Sequence, residues 1–167
     1  MTYTLTSTSV VIRDADRAHI PDDPANSDRR EYQAWLEAGN TPNPVPPPSK
    51  AQEAAAWLEG GLTIQFTSNT NLSGTYGVVP PDSDNINAVA TSFAYDGKLP
   101  NNASTVAIAD LAGEVHLFDN GSFKLLMRAV RDFVHNTHLY VMGVAADLPP
   151  NSVSKSIEEP TPMESSP

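Results

Sequence analysis

Hydrophobic and polar positions change period several times along this 167-residue chain. Residues 3–13 alternate loosely and are rich in Thr, Val and Tyr, a strand pattern. Val10-Val-Ile-Arg13 and Ala18-His-Ile-Pro21, joined by the polar turn Asp14-Ala-Asp-Arg17, predict a small hairpin. Pro21 stops the ladder on that edge, because proline has no donor. Turn formers and helix caps from Asp22 to Ser27 lead into Tyr32, Trp35 and Leu36, spaced i, i+3, i+4. These three form one apolar stripe on a helix of about three turns. Gly39 and Pro42 close it.

A second series begins at Ser49, where Ser49-Lys-Ala-Gln52 has the spacing of a capping box. Ala51, Ala54, Ala55 and Leu58 predict a short helix that ends at Gly60-Gly61. Leu62, Ile64 and Phe66 then alternate with Thr63, Gln65 and Thr67, a half-buried strand. Ser68 to Gly74 turns the chain, Thr75 to Val79 pairs back, and Pro80-Pro81 ends the hairpin. Asp82 or Ser83 caps a helix carrying Ile86, Val89, Ala90 and Phe93, closed by Gly97. Strands at Thr105–Ala109 and Glu114–Phe118 flank a turn at Asp110–Gly113. Hairpin, helix, hairpin, helix predicts an α+β fold with antiparallel β-hairpins packed on helices.

The last helix, capped by Asn120, carries the most regular period. Met127, Val130, Val134, Thr137, Val141, Val144 and Leu148 follow in alternating steps of three and four. A 3.5-residue repeat of this kind marks a coiled-coil seam, and β-branched seam residues favour more than two strands. A helix over residues 122–148 would span roughly 40 Å at 1.5 Å per residue. Its second half is then expected to protrude from so small a domain. The alternative is a helix packed along its own domain, with Val130 and Phe133 facing the core.

Between the two series lies Thr41-Pro-Asn-Pro-Val-Pro-Pro-Pro-Ser49, with prolines at five of nine positions. Such a run joins neither helix nor sheet and reads as a semi-rigid spacer of roughly 28 Å at about 3.1 Å per residue. The expected organisation is a docking segment over 1–40, a linker over 41–49, an α+β domain over 50–150 and a disordered tail over 151–167. Residues 1–40 are too few for a self-sufficient core, so a partner or a second copy is expected to order them.

Composition narrows the function. Ten Lys and Arg stand against 20 Asp and Glu, a net charge of −10 that repels phosphate backbones and argues against nucleic-acid binding. The absence of cysteine removes disulfides, thiol catalysis and Cys-based zinc sites. No apolar run is long enough to insert in a membrane, and Met1 to Thr8 lacks the basic and apolar regions of a secretory signal. A soluble protein made in a cytoplasm is expected.

Candidate chemistry is sparse. His135 and His138, three apart on the last helix, could bind a metal only with a third ligand from elsewhere, and off the seam they should face solvent. His116 lies six residues from Asp110, but no nucleophile pattern accompanies them, which favours a structural role. Asp14, Asp16, Asp22 and Asp23 lack the order of a calcium loop and read as a solvated turn. Gly60-Gly61 and Gly74 to Gly77 do not have phosphate-loop spacing. No local pattern supports a pair of glycosidase carboxylates. The sequence therefore assigns no catalytic residue, no metal ligand and no cofactor.

Two stretches carry a resemblance. Val10-Val-Ile-Arg13, His19-Ile-Pro-Asp-Asp-Pro-Ala-Asn26 and Glu31-Tyr-Gln-Ala-Trp-Leu-Glu-Ala-Gly-Asn-Thr-Pro42 resemble a segment that recurs in small bacteriophage tail-fibre-associated proteins and at the ends of tail fibres. From Gly61 to Val134, a second set of motifs is similar to a phage domain of unknown function. These are Ile64-Gln-Phe-Thr-Ser68, Leu72-Ser-Gly-Thr-Tyr76, Ala88-Val-Ala90, Ala112-Gly-Glu-Val-His116 and Ala129-Val-Arg-Asp-Phe-Val134. The chain departs from the pattern where Asp14-Ala-Asp-Arg17 lacks the usual hairpin glycine and where Pro80-Pro81 replaces an Asp-Pro step.

The resemblance implies a non-enzymatic component of a phage tail, associated with a fibre or baseplate, made in the host cytoplasm and resident in the virion. Expected partners are other tail or fibre subunits and further copies of the chain, a trimer as in most tail fibres. Tyr32, Trp35 and Leu36 would dock the N-terminal piece, and Met127, Val134 and Val141 would mediate helix contacts. Two other roles stay open. One is a fibre-assembly chaperone absent from the mature particle; the other is a receptor-binding tip whose turn at Asn69–Asn71 contacts a host surface glycan.

Overall fold

Pro44 to Pro48 carries no regular secondary structure in the computed structural model, which describes residues 1–156, and the chain divides into two units at the Pro48–Ser49 step. The fold class is α+β, as the sequence predicts.

In the first unit, β1 (Tyr3–Leu5), β2 (Val11–Arg13) and β3 (Ala18–Ile20) form an antiparallel meander in that order. The predicted strand over 3–13 is thus two strands. Between them the Thr6 hydroxyl donates to the Val10 carbonyl at 2.6 Å, a side-chain-to-backbone bond that competes with strand pairing. Helix α1 (Ser27–Glu37) starts at Asn26, whose side chain accepts the Arg29 N–H. Tyr3, Val11, Ile20 and Tyr32 are buried together, with Leu5, Trp35 and Leu36 packed around them. The N-terminal piece therefore builds a small core of its own, which its length alone does not suggest.

The linker also starts later than predicted. The Asn43 N–H donates to the Tyr3 carbonyl at 2.7 Å, and the Leu5 N–H donates to the Asn43 carbonyl at 3.0 Å. Standing between two prolines, Asn43 still has a donor, and it bridges β1 at Thr4 in parallel fashion.

The second unit begins with α2 (Lys50–Glu59), whose capping box is formed as predicted between Ser49 and Gln52. Strand β4 (Leu62–Phe66) buries Leu62, Ile64 and Phe66 and pairs antiparallel with β5 (Gly74–Tyr76). Helix α3 (Asp84–Asp96) begins after Ser83, which makes no side-chain cap bond, and ends at Gly97. A separate hairpin joins β6 (Val106–Ala109) to β7 (Val115–Phe118). Helix α4 spans Asn120–Val141. Its N-cap is Asp119 rather than Asn120, because the Asp119 carboxylate accepts both the Ser122 N–H and the Ser122 hydroxyl.

Two expectations about the C-terminal region are corrected. First, α4 stops at Val141 instead of extending to Leu148. Gly143 adopts φ +75°, its N–H donates to the Tyr140 carbonyl, and the Val144 N–H donates to the Leu139 carbonyl. This is a Schellman stop. The face that α4 buries comprises Ser122, Phe123, Leu126, Ala129, Val130, Phe133, Thr137 and Tyr140, a stripe wider than a two-position seam and turned against its own unit. Of the proposed seam, only Val130 and Thr137 are buried. The helix packs along its own domain.

Second, the segment from Asn151 is not wholly a tail. Ser152–Lys155 forms β8, parallel to β4 with Val153 opposite Ile64, so the sheet order is β5-β4-β8. The rest of the predicted tail, 157–167, lies outside the described residues. The core of the unit collects Ile64, Phe66 and Tyr76 from this sheet, Ile108 and Phe118 from the hairpin, Ile86 and Val89 from α3, and the inner face of α4.

Candidate functional site

The hairpin turn between β6 and β7 gathers several polar groups around Asp110 and His116. The Asp110 N–H donates to the Glu114 carbonyl at 2.9 Å, and the Leu111 N–H donates to the Thr75 carbonyl at 2.8 Å. The first bond closes the turn, and the second fastens it to β5. One carboxylate oxygen of Asp110, Oδ1, accepts the Ala112 and Glu114 N–H groups at 3.0 and 2.9 Å. Its orientation is fixed by its own turn, which leaves Oδ2 directed at His116.

His116 is 7% exposed. Strand alternation places it with Phe118 on the inner face of β7, whereas Val115 and Leu117 point outward. Its Nδ1 lies 2.7 Å from the Asn71 carbonyl in the turn between β4 and β5. A carbonyl only accepts, so Nδ1 carries a proton. The other ring nitrogen, Nε2, is buried without a hydrogen-bond partner and lies 3.6 Å from Asp110 Oδ2. The Tyr76 ring meets the imidazole edge-on, with centroids 5.7 Å apart. Burial raises the pKa of the Tyr76 phenol, and the Asp110 charge adds to the effect. Among the described residues, Asp110, Glu114 and His116 are the only group of three or more side chains of metal-ligating type in range of one another, their ligand atoms all within 4.8 Å.

The residues expected to bind partners are dispersed. Tyr32 is buried in the first unit, its ring centroid 5.0 Å from that of Tyr3; Trp35 and Leu36 are half-buried beside it. In the second unit, Met127 borders an open groove of ≈ 610 Å³ between α3 and α4, with Ile86, Ala90 and Val130. Val134 and Val141 are 37% and 38% exposed on α4, and Met142 and Val144 continue that exposed apolar strip beyond the helix end. The turn at Asn69–Asn71 is exposed.

His135 and His138 face solvent. The four N-terminal aspartates are occupied within the first unit. Asp14 accepts the Thr4 hydroxyl, Asp16 pairs with Arg13, Asp22 pairs with Arg29, and Asp23 accepts the Ala25 N–H. No described helix is long and apolar enough to cross a membrane. Sequence reasoning sets Asp110 and His116 side by side but misses their convergence with Glu114. The period-2 pattern of Glu114-Val-His-Leu-Phe118, which turns His116 inward, is the signal that finds it. Compared with protein-family models, curated proteins and solved structures, the chain finds no match.

Proposed function

We propose that this protein is a non-enzymatic structural component of a phage tail, an adaptor that joins a fibre or baseplate to other subunits. The observation that carries the proposal is the use made of the N-terminal motif. Tyr32, Trp35, Leu36 and Asn43, all in or beside the stretch that resembles fibre-associated proteins, build a small folded unit followed by a proline run. A short module on a stiff spacer suits the linking of two bodies better than the enclosing of a substrate. The exposed strip of Val134, Val141, Met142 and Val144 supports contact with a neighbouring subunit or with further copies of the chain, a trimer in this reading.

Quantitative mass spectrometry of purified particles tests the proposal. A fixed copy number that is a multiple of three is the expected result. Abundance in the lysate with absence from particles would instead identify an assembly chaperone, and co-purification with unassembled fibre would confirm that role. Light scattering of the isolated chain addresses self-association: a trimer is expected, weakened by Val134→Asp with Val141→Asp.

A further inference from the structure

We infer that Asp110, Glu114 and His116 form a binding site for a divalent transition-metal cation, zinc in the first instance, that clasps the β6–β7 hairpin.

With the Nδ1 proton of His116 donated to Asn71, the neutral ring presents its Nε2 lone pair to the Asp110 carboxylate 3.6 Å away. Two electron-rich atoms facing each other, with both side chains less than a tenth exposed, repel unless something positive lies between them. No direct hydrogen bond satisfies Nε2, because 3.6 Å is too long for one. Two ligand atoms at roughly 2.0–2.1 Å from a zinc ion and at a tetrahedral angle stand about 3.4 Å apart, close to the separation found.

The surroundings agree. A metal-bound histidine usually donates its other ring N–H to a carbonyl or carboxylate, the part Asn71 plays here. The Asp110 Oδ1 bonds within the turn hold Oδ2 in place. Glu114, exposed, supplies the third ligand, a carboxylate oxygen. The wall opposite is Gly74, where a Cβ would stand 2.8 Å from Oδ2 and 3.3 Å from Nε2, so the absent side chain keeps the gap clear. Mixed imidazole and carboxylate ligands suit zinc or its neighbours rather than magnesium. A clasp at this point has a structural use, since a two-stranded hairpin is marginal alone and the chain has no cysteine for a disulfide.

The test is a titration of the full chain, stripped with EDTA, with zinc chloride by calorimetry and with cobalt(II) by absorption. One ion per chain and the visible bands of a tetrahedral cobalt centre are expected. Loss of a group that merely orients a ligand costs about 10–100-fold in metal affinity, so Glu114→Gln should cost at least tenfold. Because Glu114 is exposed, this variant keeps the fold and decides the question even where His116→Gln unfolds the hairpin. Replacing His135 and His138 together by alanine should leave binding unchanged. The inference is overturned if zinc does not saturate the chain at micromolar concentration. It is equally overturned if binding survives Glu114→Gln and disappears with His135 and His138.

Discussion

The indole Nε1–H of Trp57 donates to the carbonyl of Pro149 at 2.9 Å, tying α2 to the chain that leaves α4. The bond fixes where the polypeptide turns back toward β4. Trp57→Phe keeps most of the ring and leaves the Pro149 carbonyl without its donor. A loss of about 1 kcal/mol is expected, measured by urea unfolding, with no change in the m-value.

Two residues beyond Pro149 the chain enters β4's sheet: the Thr63 N–H donates to the Asn151 carbonyl at 2.8 Å and the Thr67 N–H to the Lys155 carbonyl at 2.9 Å. A chain ended at Pro150 would expose that edge of β4 and uncover Val153's side of the core. Open strand edges recruit other chains. The truncated protein should therefore melt at a lower temperature and form aggregates, both visible in light scattering during a thermal ramp.

What the sequence reveals and what it conceals divide along the range of the interactions. The Ser49–Gln52 box, the alternation of Leu62 to Phe66 and the hairpin around Asp110–Gly113 are legible because each is decided within a few residues. Strand β8 is not: Ser152-Val-Ser-Lys155 has one apolar residue, and its strand state comes from pairing with β4 far upstream. The expectation of a helix that protrudes to Leu148 fails for another reason. Val130 and Thr137 satisfy both a 3.5- and a 3.6-residue period, so a helix this short does not separate the two. The candidate site is half legible. Spacing brings Asp110 and His116 together, but the Asn71 carbonyl that sets the tautomer arrives from a different hairpin.

Gly143 decides where α4 ends. At φ +75° it stands in the left-handed region, where a Cβ costs about 1–2 kcal/mol. Gly143→Ala should lower stability by roughly 1 kcal/mol. Nothing lies within 4 Å of the position of the added Cβ, so the loss would come from backbone strain alone. Gly143→Asn, which tolerates that conformation better, should recover part of it in the same denaturation assay.

Asp119 makes the start of α4 sensitive to acid. The Ser122 N–H, then the Ser122 hydroxyl, hold its carboxyl below the usual carboxylate range, against a smaller opposing effect of burial. A lowered folded-state pKa contributes stability that is complete above the unfolded carboxylate pKa and is lost as pH falls through the folded value. Asp119→Ala should cost about 1 kcal/mol at neutral pH, and the difference from wild type should shrink as the pH drops below the usual carboxylate range. Asp119→Asn keeps a capping oxygen without the titration, so its stability should lack this component of the pH dependence.

Trp35 probes whether the two units unfold separately. Its ring meets Tyr3 edge-on with centroids 5.0 Å apart, in a core that has only four buried apolar residues. Truncating a packed aromatic costs about 3–5 kcal/mol, as much as a unit of this size has to lose. The core of the second unit draws on residues from Trp57 onward and uses none of this packing. Trp35→Ala should therefore abolish the protection of residues 1–48 in hydrogen exchange while leaving β4, β7 and α4 as protected as in the wild type. Loss of protection throughout the chain would mean that the units fold as one, and the picture of a module on a spacer would fall with it.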